Sequence, residues 1–328
     1  MNKKRWWALG IFLLLVFIYI ASSNGKVNNE AQDGGLAGYL KAAEQPLTTQ
    51  IYQEGSGAKL ALINLQGVIS ESETGSTDLG TSYNHQVFLQ QIEDAFAQKD
   101  IKAVIIKMNS PGGGVYESDE VYHRLMQLKA KYKKPLVVYM GQQAASGAYY
   151  ISMAADKIYA NQNTLTGSIG VIISTYNYSQ LAQKIGIQDL TFKSAANKDI
   201  LNPLRPATDQ EKAIMQELVN ESYNRFVDIV VQGRHIDRNQ VLQLADGRIY
   251  SGNQAKQLNL VDELGYLENA IEGTARLAKT SDPQVILYEN PVPNILDWLM
   301  SVRAPALDLL GIKQQLDQQR TTELMYMN

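Results

Sequence analysis

The sequence predicts an α/β domain, a parallel sheet with helical cover, set behind one N-terminal transmembrane helix. Three observations carry this. Short Val/Ile-rich runs alternate with stretches of helical periodicity, the pattern of parallel strands and crossover helices. A basic tip, Lys3-Lys4-Arg5, precedes an apolar run from Trp6 to Ala21. The chain shows no internal repeat, so a solenoid or propeller is not indicated.

The apolar run is short for a spanning helix, which needs roughly 17–25 residues. Trp6, Trp7 and Tyr19 stand at its ends, where amphipathic rings favour the headgroup level. The basic tip predicts a cytoplasmic N-terminus and an extracytoplasmic remainder. A cleaved signal peptide is the alternative, because Ala21-Ser22-Ser23 offers small residues. Both readings export the globular part. Residues 1–23 are thus the tip and anchor, 24–57 a polar stalk with Asp33-Gly34-Gly35 and Gly55-Ser56-Gly57, 58–290 the folded domain, and 291–328 a C-terminal helix and flexible tail.

Within the domain, Leu60–Leu65 reads as a strand, 70–83 as a loop, and Asn84–Gln98 as a helix with Val87, Phe88, Ile92 and Phe96 on one face. Ile101–Met108 reads as a buried strand, 109–114 as a turn, and a helix is predicted from about Glu117 to Tyr132. Pro135–Met140 is the next strand, Ala144–Ala155 a helix of small residues, and Lys157–Ala160 a strand. A helix at Ser179–Lys184, a strand at Leu190–Phe192, a long helix from Asp209 to about Gln232, two or three shorter helices and a strand at Val285–Tyr288 follow.

Composition removes several function classes. A net charge of -3 gives no basic stripe for nucleic acid. The absence of cysteine excludes disulfides, thiolate metal sites, a cysteine nucleophile and a lipid-modified N-terminal cysteine.

Four segments could carry chemistry. Ala144-Ala145-Ser146-Gly147 follows a strand and opens a helix. A serine there has its hydroxyl at the positive end of the helix dipole, with the Gly147 amide free beside it. That suits an acyl-transfer nucleophile, and it equally suits an ordinary N-cap. Asn109-Ser110-Pro111-Gly112-Gly113-Gly114 could aim backbone amides into a cleft as half of an oxyanion hole, or simply turn the chain. His85, His123 and His235 each read as surface residues without catalytic context, so a Ser-His-Asp triad is not indicated. Lysine remains as a base, in Lys193-Ser194-Ala195-Ala196-Asn197-Lys198-Asp199. With a reference pKa of about 10.4, a lysine must lose charge stabilisation to act as a base at neutral pH, and burial can lower it by roughly 3–5 units. Ser168, in the glycine-punctuated 166–170 segment, could orient such an amine.

Taken together, the motifs resemble the signal peptide peptidase A family of bacterial Ser–Lys proteases. The resemblance rests on Asn109–Gly114, Ala144–Gly147 with Tyr149-Tyr150, Leu165–Val171, Lys193-Ser194 with Lys198-Asp199, Ala245–Tyr250 and Leu260–Gly265. It covers roughly 59–277 and looks like the short, single-anchor form. It implies a ClpP/crotonase-like fold, Ser146 as nucleophile, Lys198 rather than Lys193 as general base, oxyanion donors at the Gly113 and Gly147 amides, and an orienting role for Ser168. It also implies a homo-oligomeric dome or ring whose active sites are shared between subunits. No cofactor or metal is expected. The substrates implied are peptides, remnant signal peptides among them. Ala148 departs from the family pattern, where a second glycine is common. Two alternatives remain open on the residues alone: a crotonase-type acyl-CoA enzyme, and a non-catalytic assembly module. The tail ending Leu324-Met325-Tyr326-Met327 could enter the cleft and be trimmed or inhibit.

Overall fold

Three runs of aliphatic side chains, β2 (Lys59–Gln66), β3 (Ile101–Ser110) and β5 (Leu136–Ala145), are buried over most of their length. Strands buried on both faces belong in the middle of a parallel sheet with helices on either side. In the computed structural model, which describes residues 47–71, 83–289 and 325–326, β2 pairs with β3 and β3 with β5, all parallel. On one side the sheet continues to β6 (Lys157–Ala160) and β9 (Glu263–Leu264), and on the other to β10 (Gln284–Tyr288), again in parallel pairs.

The sheet is nonetheless mixed, which corrects the all-parallel expectation. β1 (Thr49–Gln53) runs antiparallel to β10, and β8 (Ile249–Ser251) antiparallel to β7 (Leu165–Gly167). Both exceptions are short. β1 is exposed along its length, so it has no apolar alternation to betray it. It also places residues read as the end of a stalk inside the folded unit.

One face of the sheet packs Leu62, Ile105, Val137 and Tyr159 against Leu267, Ala270, Ile271 and Ala275 of α8 (Leu267–Leu277). The other face is covered by α1 (His85–Ala97) and α2 (Val115–Tyr132). Asn84 caps α1 by accepting the Val87 N–H at 3.0 Å. The long α5 (Asp209–Arg234) opens with a capping box between Thr208 and Glu211. Phe226 on α5 packs against Tyr150, ring centroids 5.1 Å apart. α4 (Ser179–Lys184), α6 (Arg238–Leu244) and α7 (Gly252–Gln257) complete the helices of the described residues.

Other expectations need correction. Leu190–Phe192 forms no strand; these residues are exposed, and a strand with no partner has nothing to hold it. The expected helix at 144–155 shrinks to α3 (Gly147–Ser152). Ala144 and Ala145 have high helix propensity, but β5 runs on through them because β7 pairs there. Gly113 and Gly114, read as part of a turn, form the short strand β4. The expected anchor, the loop at 72–82 and the expected C-terminal helix lie outside the described residues. No helix among the described residues is long and apolar enough to cross a membrane.

Candidate active site

Ser146 stands between β5 and α3 with φ 54° and ψ -118°. An L-residue avoids this region, and holding one there costs roughly 1–3 kcal/mol unless the surroundings over-determine it. They do. The Ser146 N–H donates to Gly167 O at 2.8 Å, and Ser146 O accepts the Tyr150 N–H at 2.9 Å. The Tyr149 hydroxyl donates to Leu260 O at 2.9 Å, and burial pushes its pKa up, so it stays a neutral donor. The Tyr150 hydroxyl donates to Asp119, whose carboxylate also takes the Arg225 Nε at 2.8 Å.

This corner leaves the Ser146 hydroxyl fully buried and without a hydrogen-bond partner among the described residues. It makes no capping bond to α3, which rules out the ordinary N-cap reading. An unpaired buried hydroxyl costs roughly 1–3 kcal/mol. Strain and an unsatisfied group at one residue are what functional sites retain.

Gly113 and Gly147 come together next to it. A Cβ on Gly147 would lie 3.2 Å from Gly113 N and 2.3 Å from Ser118 Oγ. A Cβ on Gly113 would sit 1.9 Å from Ile69 O, and one on Gly114 1.9 Å from Glu117 Oε2. At Gly113 the obstacle is backbone, so only glycine fits; at Gly147 and Gly114 a Cβ would have to displace the Ser118 hydroxyl and the Glu117 carboxylate. The Gly114 N–H donates to Ile69 O at 2.7 Å, and the Ile69 N–H to Gly112 O at 2.9 Å. Ser118 Oγ donates to Gly114 O at 2.7 Å, and Glu117 Oε1 accepts the Glu71 N–H at 3.0 Å. β11 (Met325–Tyr326) lies antiparallel to β4, Met325 opposite Gly114 and Tyr326 opposite Gly113.

Ser168 follows Gly167, whose carbonyl takes the Ser146 amide. Ser168 is buried, has φ 50°, and donates its N–H to Arg248 O at 2.9 Å. The structure therefore brings Ser146, Gly147, Gly113 and Ser168 into one neighbourhood.

Lys198 stands apart from it. Its N–H closes a turn onto Ala195 O at 3.2 Å, and its side chain is exposed. Since Ser146 Oγ has no partner, Lys198 does not reach it within one chain. The segment around it presents apolar side chains to solvent, Tyr176 70%, Leu190 80% and Phe192 88% exposed.

Sequence reasoning missed several positions. His85, expected at the surface, is 3% exposed, with Nδ1 2.6 Å from the Tyr83 hydroxyl and Nε2 2.9 Å from Glu120. The helix face that buries Phe88 and Ile92 also turns His85 inward, because a polar residue in the first turn can satisfy itself on the neighbouring helix. Glu117, Ser118 and Asp119 stand in the first turns of α2, and the sequence pattern does not single them out. Their roles depend on contacts with glycine backbones and with α3 that no periodicity encodes.

Such a corner suits acyl transfer from a substrate to a serine hydroxyl, and from the acyl-serine to water. The sequence pattern of peptidase family S49 matches residues 128–281. A protein of Enterococcus faecium that carries the name signal peptide peptidase SppA is 42% identical over 91% of this chain and 88% of its own length. Protease 4 of Haemophilus influenzae is 34% identical over 67% of this chain, and the chloroplastic serine protease SPPA of Arabidopsis thaliana 27% identical over 85% of it. The chain spans 35% and 44% of those two longer proteins. This chain belongs to peptidase family S49. It is a serine peptidase, and the acyl-CoA and non-catalytic alternatives fall away.

Proposed function

We propose that this peptidase cuts with a Ser146–Lys198 dyad, on the outer face of a membrane to which residues 1–23 anchor it. One observation carries the reading: the Ser146 hydroxyl is strained, buried and unpaired beside two glycine backbones in close approach. In this reading neutral Lys198 takes the Ser146 Oγ proton as the oxygen attacks a peptide carbonyl. The Gly113 and Gly147 amides hold the developing oxyanion, the term that usually contributes most to catalysis. Protonated Lys198 then gives its proton to the leaving amine, and water hydrolyses the acyl-enzyme. Ser168 orients the lysine.

The lysine comes from a neighbouring copy in a ring or dome. Two features support this: Ser146 meets no base among the described residues, and the Lys198 segment exposes apolar side chains that a second copy would cover. The pairing of β11 with β4 supports a substrate bound as an added strand. Remnant signal peptides, short, apolar and released at the membrane, fit such a groove. The name of the Enterococcus relative points the same way.

The test is a serine-acylating probe and a fluorogenic peptide, applied to the full chain in membranes. Ser146→Ala and Lys198→Ala should each lose activity by about 10⁴-fold or more. Full turnover in either variant removes the dyad.

β11 also favours a second role for this site, processing of the chain's own tail. The wild-type C-terminus should then be shorter by mass spectrometry than that of Ser146→Ala, and equal masses would end the trimming idea.

A further inference from the structure

The sequence poses a problem for a lysine base: Lys198 is followed directly by Asp199. A free carboxylate beside an amine favours the ammonium form, the wrong state for proton abstraction. The structure shows where that carboxylate goes. Lys193 Nζ lies 2.6 Å from Asp199 Oδ1. Arg205 grips the same group through both oxygens, Nη2 to Oδ1 at 2.7 Å and Nε to Oδ2 at 2.9 Å. Arg205 Nη2 also donates to Asp199 O at 3.1 Å. The Asp199 side chain is 12% exposed, although most of its segment is open to solvent.

Arg205 is itself fixed from α5. Its Nη1 donates to Glu211 Oε2 at 2.8 Å, and Glu211 is the capping-box residue of that helix. A planar guanidinium is suited to this, because its fork can hold two carboxylates at once. The other carboxylate of the segment, Asp189, is engaged by Asn202 Nδ2 at 2.8 Å and Thr191 Oγ1 at 2.7 Å. The charged groups on Asp199 are therefore Lys193 and Arg205, with Glu211 behind Arg205.

We infer that Lys193 and Arg205 are positioning residues for the peptidase reaction, which occupy the Asp199 carboxylate and so leave Lys198 free to act as an uncharged base. This rests on the Ser146–Lys198 reading. It also accounts for two lysines in one short segment: Lys193 is held in an ion pair, while no carboxylate among the described residues takes Lys198. The Asp199 carboxyl is held well below the usual carboxylate range, by its hydrogen bonds to Arg205 and then to Lys193, so it stays charged at any working pH and must be neutralised by partners rather than by a proton.

The experiment is the pH profile of kcat/KM for the full chain on a fluorogenic peptide, for wild type, Lys193→Gln, Arg205→Gln and each of these combined with Asp199→Asn. Lys193→Gln should move the acid limb upward by about one pH unit, leaving KM near wild type, and Arg205→Gln should move it further. Adding Asp199→Asn to Lys193→Gln should return the limb to its wild-type position. Lys193 lies in an exposed segment, and thermal unfolding of each variant reports on folding. If both single variants lose rate with the acid limb unmoved, or if Asp199→Asn fails to restore the limb, the inference is overturned. Lys198→Ala in the same series separates this outcome from failure of the dyad itself: an active Lys198→Ala removes the dyad, whereas an inactive one alongside unmoved limbs removes only the role of Lys193 and Arg205.

Discussion

The serine corner and the lysine segment are built on opposite plans. Ser146 is fully buried, carries a backbone conformation that its neighbours impose, and sits on strands and a helix pinned by Tyr149 and Tyr150. Lys198 lies in a run of exposed residues held by local polar contacts, with Phe192 88% exposed nearby. The first half is complete within one chain. The second half is ordered in itself, through Asp199, Arg205 and Glu211, yet no described residue covers its apolar side chains. If the proposed dyad holds, a folded chain preserves a strained serine while its base comes from a neighbour, which would make activity a property of assembly.

The sharpest way to break this comparison is to mix the two dead variants. Chains carrying Ser146→Ala, co-expressed with chains carrying Lys198→Ala, should regain about a quarter of wild-type activity, because some adjacent pairs then hold an intact serine facing an intact lysine. A mixture as inactive as its parents would mean that the two groups must come from one chain.

A smaller effect probes the serine half alone. Gly147→Ala places a methyl 2.3 Å from Ser118 Oγ and 3.2 Å from Gly113 N. It should lower kcat by about 10²–10³-fold with little change in KM, the signature of a damaged oxyanion site. A wild-type kcat would show that the two glycine backbones are not acting on the reacting carbonyl.

The smallest effect concerns the support beneath the serine corner. Arg234 donates to Asp262 through Nη1 at 3.0 Å and Nη2 at 2.8 Å, and Asp262 accepts the Ile158 N–H at 2.7 Å. Burial, the largest single effect, raises the Asp262 pKa, but the Arg234 bonds and charge, the Ile158 N–H and Lys157 together outweigh it, so the carboxyl titrates below its ordinary value. A depressed carboxylate contributes stability above its unfolded pKa, about 3.9, and loses it as pH falls through the folded value. Arg234→Met should cost about 2–3 kcal/mol at neutral pH. Its urea unfolding free energy should also fall less than that of wild type on going from pH 5 to pH 3. Parallel losses in both proteins would remove Asp262 from the acid transition.

Much of the fold was legible in the residues. β2 and β3 announce themselves as aliphatic runs, and α1 carries both an apolar face and a capping residue, Asn84. The failures share a cause. β1 and β8 are too short or too polar to show a period, and β5 outruns its expected end because β7, distant in sequence, offers it a partner. Of the site, the glycines and Ser146 stood out as punctuation at the ends of strands. His85 did not, because its partner Glu120 lies on a separate helix.

Composition, local periodicity and motif order were sufficient to determine an α/β chain with a serine at a strand-to-helix corner. Those features depend on interactions between near neighbours, which residue order encodes directly. Only the tertiary structure decided that this serine is strained and unpaired among the described residues, that Gly113 is required by backbone contact, and that Asp199 is turned onto Arg205 and Lys193 instead of Lys198. Each of these depends on atoms brought together from separate elements, where a few tenths of an ångström separate contact from overlap, and sequence spacing holds no record of such distances.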